Sequence, residues 1–182
     1  MKYGTSGFRD HHTKILSISE QLGTGIALLA CYEHTSFGIM ITASHNHHQD
    51  NGVKIMDKDG HMVSSEVEDF LENFINNNQK NPPAIDDSIL KYTNGIKIGY
   101  DSRKSSPEIC ENIVRGIQKT NPKFPIQILE HVTTPQLHAC FSILQNTYMS
   151  HLTMLSKMVK TPCVLDCANG IGYKKMLELK NS

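Results

Sequence analysis

The sequence predicts an α/β fold with a mixed, largely parallel sheet and helices on both faces, and two observations carry that reading. Short Ile-rich runs at 37–41, 96–100 and 125–130 have the length and composition of strands, the first of them buried. The second and third of these lead straight into helix-start signals, and a repeated strand-to-helix crossover produces parallel neighbours. At 182 residues the chain has room for one domain and part of another.

In chain order, Tyr3-Gly4-Thr5-Ser6-Gly7-Phe8-Arg9 reads as a turn whose glycines permit close backbone approach and whose N–H groups can face an anion. The first helix signal starts at Ser17: Ser17-Ile18-Ser19-Glu20 fits a capping box, and Leu22, Ile26 and Leu29 keep helical spacing to about Tyr32. Gly23 and Gly25 lower helix propensity there, which predicts tight packing against a neighbouring element. After the strand at 37–41 and the loop behind it, 53–56 and 61–63 flank Asp57-Lys58-Asp59-Gly60, the chemistry of a hairpin turn. A calcium loop is excluded, since no third oxygen ligand or closing glutamate is in register.

Ser65 with Glu68 opens the next helix, with Val67, Phe70, Leu71, Phe74 and Ile75 as one apolar stripe. Residues 76–88, with Asn76-Asn77-Asn78 and Pro82-Pro83, read as a disordered or variable connection. Ser106 as N-cap and Pro107 at the first helical position start a helix with Ile109, Ile113 and Ile117 inward. Thr134 and Pro135 do the same for a helix faced by Leu137, Phe141 and Leu144. The predicted organisation is a first domain over 1–145, a connecting helix over 146–161, and the start of a second α/β domain over 162–182.

Charge and cysteine content narrow the function. Eighteen basic residues balance eighteen acidic ones, so no broad field recruits nucleic acid or an anionic membrane. Five scattered cysteines argue against a disulfide framework, and the Cys163–Cys167 spacing has no second pair to complete a zinc site. With no signal-peptide pattern and no apolar run near the ~20 residues of a membrane span, the expectation is a cytoplasmic chain.

Chemistry concentrates in Thr42-Ala43-Ser44-His45-Asn46-His47-His48-Gln49-Asp50-Asn51-Gly52-Val53-Lys54. Ser44 lies just past a strand end, where open α/β sheets bind ligands, among small and polar neighbours. An Asn-Gly turn at Asn51-Gly52 would deliver Lys54. An accessible hydroxyl, donors for phosphate oxygens and a proton carrier are what a serine needs to accept and release a phosphoryl group. Arg9 reads on its own as a solvated surface charge, and Asp101-Ser102-Arg103 as either a local ion pair or part of the site.

These motifs, with Thr133-Thr134-Pro135-Gln136-Leu137-His138 and Asp166-Cys167-Ala168-Asn169-Gly170-Ile171-Gly172, resemble those of the α-D-phosphohexomutases, within them the branch acting on N-acetylglucosamine phosphates. The resemblance implies an enzyme that interconverts N-acetylglucosamine 6-phosphate and 1-phosphate through a phosphoserine and a bisphosphate, towards UDP-N-acetylglucosamine. It implies Ser44 as phosphoserine and metal ligand, Lys54 as proton carrier, and His45 as a further catalytic residue. Arg9 and Arg103 would supply positive potential, and Ser6 and Asn46 would support the phosphate loop. It also implies a sugar-phosphate substrate and Mg²⁺, whose Asp-x-Asp-x-Asp ligands do not occur in these residues, so the 182-residue chain alone is expected to be inactive. His47-His48 stand where the family often has proline and an acidic residue. A non-catalytic binding module and another phosphohexomutase specificity are the alternatives; a metal hydrolase built on His45, His47, His48 and Asp50 is disfavoured because adjacent loop imidazoles rarely converge.

Overall fold

The computed structural model describes residues 1–5, 7–77 and 83–141 of the chain. Its sheet is centred on β2 (Phe37–Ile41), all five residues of which are buried, as an Ile-rich strand covered on both faces requires. β4 (Ile96–Tyr100) pairs parallel to it on one side, and β5 (Ile126–Leu129) pairs parallel to β4. On the other side β3 (Asp50–Met56) runs antiparallel to β2, and β1 (Phe8–His11) antiparallel to β3, giving the order β1-β3-β2-β4-β5. The expected mixed sheet is present, with parallel and antiparallel pairs in equal number. No helix separates β2 from β3, so the chain returns antiparallel at once.

Helices cover both faces. On one face α1 (His12–Tyr32), α2 (Ser65–Asn76) and α4 (Ser106–Thr120) enclose the main core, where Leu22, Ile26, Ile109, Ile113 and Ile117 meet Phe37, Ile39 and Ile41. On the other, α5 (Thr134–Ala139) lays Leu137 against Met40 and Met56. Within the connection before β4 lies the short α3 (Asp87–Leu90), which the sequence did not announce.

Several boundaries differ from expectation. The turn foreseen at Tyr3 to Arg9 passes into β1 at Phe8, a strand too short for periodicity to reveal. Helix α1 begins at His12 instead of Ser17, because the His11 ring caps it by accepting from the Thr13 N–H. Ser17 sits inside the helix, its Oγ donating to the Lys14 carbonyl oxygen at 2.7 Å. The N-caps of α2, α4 and α5 are Ser64, Ser105 and Thr133, each one residue ahead of the expected cap. Phe70 falls outside the buried stripe of α2. The turn at Asp57 to Gly60 forms, but its return is a single bridge, Met56 with Met62, and not a strand. Leu144, the helix over 146–161 and the segment 162–182 lie outside the described residues.

α1 also corrects the reading that no run suits a membrane span: its length and apolar composition suffice. Its apolar residues are instead packed in the core. Close packing with α4 depends on two glycines facing each other's backbone. A Cβ on Gly116 would lie 1.8 Å from the Glu20 carbonyl oxygen, and one on Gly23 2.1 Å from that of Ile113. Gly116→Ala should therefore lower stability in urea unfolding by about 1–3 kcal/mol through overpacking. The ~1 kcal/mol that alanine gains in helix propensity offsets only part of this; an unchanged midpoint would show that the helices can separate freely.

Candidate active-site loop

Because β1, β2 and β4 run in the same direction, their carboxyl ends share one edge of the sheet, and the loop of residues 42–49 emerges there. Two tight turns shape it: the Asn46 N–H donates to the Ala43 carbonyl oxygen at 2.8 Å, and the Asp50 N–H to that of His47 at 3.0 Å. Thr42 and Ala43 are buried, whereas Ser44 and His45 are exposed at the tip. The serine hydroxyl is presented as the sequence implied.

Arg103, on the segment between β4 and α4, holds this loop from inside. Its Nη1 donates to the carbonyl oxygens of His47 at 2.8 Å and Asp50 at 3.0 Å. Its Nη2 donates to those of Asn46, at 3.1 Å, and Ala43. The Asp101–Arg103 ion pair also exists, with Nε 3.5 Å from Oδ2. With four carbonyls engaged, the guanidinium positions the loop backbone more than it offers charge to a ligand. The Asp101 carboxylate accepts from Thr42 Oγ1 at 2.7 Å, from Ser106 Oγ at 3.0 Å and from the Arg103 N–H at 3.0 Å.

Arg9 and Lys54 lie on the sheet face below the loop. Arg9 pairs with Gly52 across β1 and β3, Lys54 is two residues further along the same face, and Met40 stands opposite it on β2. The expected Asn-Gly turn is absent: Asn51 and Gly52 belong to β3. Gly52 is needed there because a Cβ would come within 2.9 Å of the carbonyl oxygens of both Phe8 and Thr42. Lys54 is half-buried, and its pKa is lowered first by burial and second by the neighbouring Arg9 guanidinium. Arg9 Nη1 also donates to Asn46 Oδ1 at 3.1 Å, and Asn46 Nδ2 donates to Asp50 Oδ2 at 3.1 Å, so one amide links Arg9 to the start of β3.

Other candidates stand apart. Ser6 lies outside the described residues, and the flanking Gly4 and Gly7 amides donate to each other's carbonyl oxygens, which removes both from any anion nest. His47 and His48 are exposed, with ring centroids 4.1 Å apart. Among the described residues the one set of possible metal ligands is Asp57, Asp59 and His61, at the opposite end of β3 from Ser44. There Asp57 Oδ1 accepts from the Asp59 and His61 N–H groups, as a turn residue does. Sequence reasoning missed Thr42, Asn51, Ser105 and Ser106, whose side chains join the polar network behind the loop.

Comparisons with known proteins bear on the fold. Residues 4–82 match the alpha/beta/alpha domain I of phosphoglucomutase and phosphomannomutase. The fold and its loop are similar to those of the first domain of the α-D-phosphohexomutases. Among its relatives is phosphoacetylglucosamine mutase 2 of Schizosaccharomyces pombe, 29% identical over 98% of this chain and 38% of the relative. A crystal structure of N-acetylglucosamine-phosphate mutase in its substrate complex superposes with a TM-score of 0.80 at 28% identity, over 100% of this chain and 39% of that one. The Aspergillus fumigatus N-acetylphosphoglucosamine mutase, crystallised with GlcNAc-6P and magnesium, shares the fold at 23% identity and a TM-score of 0.76, over 100% of this chain and 38% of its own. The chain thus spans about two fifths of the length of these relatives.

Lys54 costs the fold stability while it is charged. Its folded pKa lies below the unfolded value, so the penalty is full below the folded pKa and disappears as pH rises through the folded and then the unfolded pKa. Lys54→Met, beside Met40, should therefore melt higher than the parent at pH 7, with the gain shrinking towards pH 10. A lower melting temperature at pH 7 would mean that the amine has a stabilising partner.

Proposed function

We propose that this chain is the N-terminal portion of a phosphoacetylglucosamine mutase that carries the transferred phosphoryl group on Ser44. The observation that carries the reading is an exposed serine on a loop whose backbone is fixed by Arg103, above a half-buried lysine of lowered pKa. A sugar hydroxyl of N-acetylglucosamine 6-phosphate attacks the phosphorus, the bond from phosphorus to Ser44 Oγ breaks, and a bisphosphate forms. Lys54, as the neutral amine, takes the proton of the attacking hydroxyl and passes it to the departing serine oxygen. After the bisphosphate turns round, Ser44 attacks its other phosphate and the 1-phosphate leaves. Arg9 contributes positive potential, Asn46 keeps it directed at the loop, and His45 flanks the serine.

The residues described do not make a magnesium site by themselves. Ser44 offers one oxygen, while the neighbouring carboxylates of Asp50 and Asp101 are engaged by Asn46 and by Thr42 and Ser106. Mg²⁺ would neutralise charge on the transferring oxygens, with Ser44 offering one ligand and the others having to come from elsewhere in the mutase. The sugar is held by residues beyond this portion, and the reaction runs in the cytoplasm, which suits the free thiols of Cys31, Cys110 and Cys140.

Two experiments decide the reading. In the full-length mutase it implies, incubation with a hexose 1,6-bisphosphate should place phosphate on Ser44 alone in peptide maps; label on another residue removes Ser44 from the reaction. Lys54→Met should lower kcat by about 10²-fold or more, the scale of a lost acid-base group, and an unchanged kcat removes Lys54 from proton transfer.

A further inference from the structure

Behind the loop, four buried polar side chains form a closed bridge between its two roots. Thr42, where β2 ends, donates from Oγ1 to Asp101 Oδ2 at 2.7 Å. Ser106, in the first turn of α4, donates from Oγ to Asp101 Oδ1 at 3.0 Å. Asn51, in β3 and fully buried, donates from Nδ2 to Ser105 Oγ at 2.9 Å and Ser106 Oγ at 3.1 Å, while its Oδ1 accepts from the Gly52 N–H at 2.8 Å. The backbone closes the same ring, with the Thr42 N–H donating to the Gly52 carbonyl oxygen at 2.9 Å. None of the four reaches the exposed tip that carries Ser44.

We infer that Thr42, Asp101, Ser106 and Asn51 are positioning residues, acting through Arg103 to fix the loop that presents Ser44. Asp101 is the junction. Its Oδ2 faces Arg103 Nε at 3.5 Å, and Nε has no hydrogen-bond partner of its own, so the carboxylate is the guanidinium's one anionic neighbour among the described residues. The orientation of Asp101 therefore sets that of Arg103, and Arg103 in turn fixes the Ala43, Asn46, His47 and Asp50 carbonyls. Thr42 controls Asp101 through a hydroxyl alone, and a buried carboxylate that loses one charge-assisted donor is free to turn towards the others. The inference rests on the reading of Ser44 as phosphoryl carrier only for what the loop is used for.

The test compares Thr42→Val, which keeps shape and removes the donor, with Thr42→Ser, which keeps the donor, in the 182-residue chain. Hydrogen exchange of the Asn46 and Asp50 amides and the side-chain ¹⁵N–¹H signals of Arg103 are followed together. Thr42→Val should raise exchange at both amides about ten-fold, the scale of one hydrogen bond to a charged group. It should also average away the separate Arg103 Nη–H signals while leaving the Ile113 and Ile117 amides of α4 as in the parent. Thr42→Ser should restore both loop readouts. Unchanged loop exchange in the valine variant, failure of serine to rescue, or a parallel rise at Ile113 and Ile117 would each overturn the proposal. Should Thr42→Val not fold, Ser106→Ala removes the second donor to Asp101 and is judged by the same readouts. Neither readout requires phosphate transfer, so an unphosphorylated Ser44 would defeat the functional reading and leave this result standing.

Discussion

The structure turns on a guanidinium that spends its donors on backbone. A loop that presents the Ser44 hydroxyl to solvent cannot bury that residue to gain rigidity, and its carbonyls face inward without strand partners. Arg103 supplies those partners: a planar fork spans several acceptors that a lysine point charge would not reach together. Such an arginine needs its charge balanced, and Asp101, itself mostly buried, balances it while accepting three further hydrogen bonds. A pair like this contributes more to specifying one loop conformation than to net stability, because the cost of taking both charges from water is large.

The sheet places chemistry beneath that loop by its mixed topology. Had a helix followed β2, its neighbour would be parallel, and the residues after the loop would leave the edge through a crossover. Instead the chain doubles back as β3 between β2 and β1, so Lys54 comes to lie on the sheet face below the loop. β1 then adds Arg9 on the same face, close enough for its side chain to reach Asn46. Three consecutive positions in the strand order thus contribute one side chain or loop each to one small region.

What the sequence disclosed follows from how each feature is encoded. β2, β4 and the inward isoleucines of α4 were legible because burial on a regular element leaves an apolar run or a period in the residues themselves, whereas β5 is an edge strand with Ile128 exposed. The presentation of Ser44 was also legible, from the strand end. Asn51-Gly52 misled because its turn propensity is local, while strands on both sides hold it extended and require a residue without Cβ. The role of Arg103 was not legible, since its acceptors are carbonyl oxygens that every residue carries. Nor was β1, whose four residues are specified by pairing with β3 and not by any pattern of their own.

Arg9 and Lys54 complete the physical argument. Two cations on one sheet face repel, and among the described residues neither has a carboxylate partner. Such an arrangement is unfavourable in the free protein, and it lowers the Lys54 pKa. A phosphate dianion between the two would reverse the sign of the electrostatic contribution: each cation would gain an opposite charge, and the amine would hold its proton more tightly. Anion arrival and proton uptake at Lys54 would then be linked, the amine being a stronger base with phosphate beside it than without. That coupling follows from the placement of two side chains by β1 and β3, and it works only if the loop above holds the phosphate where both cations can feel it.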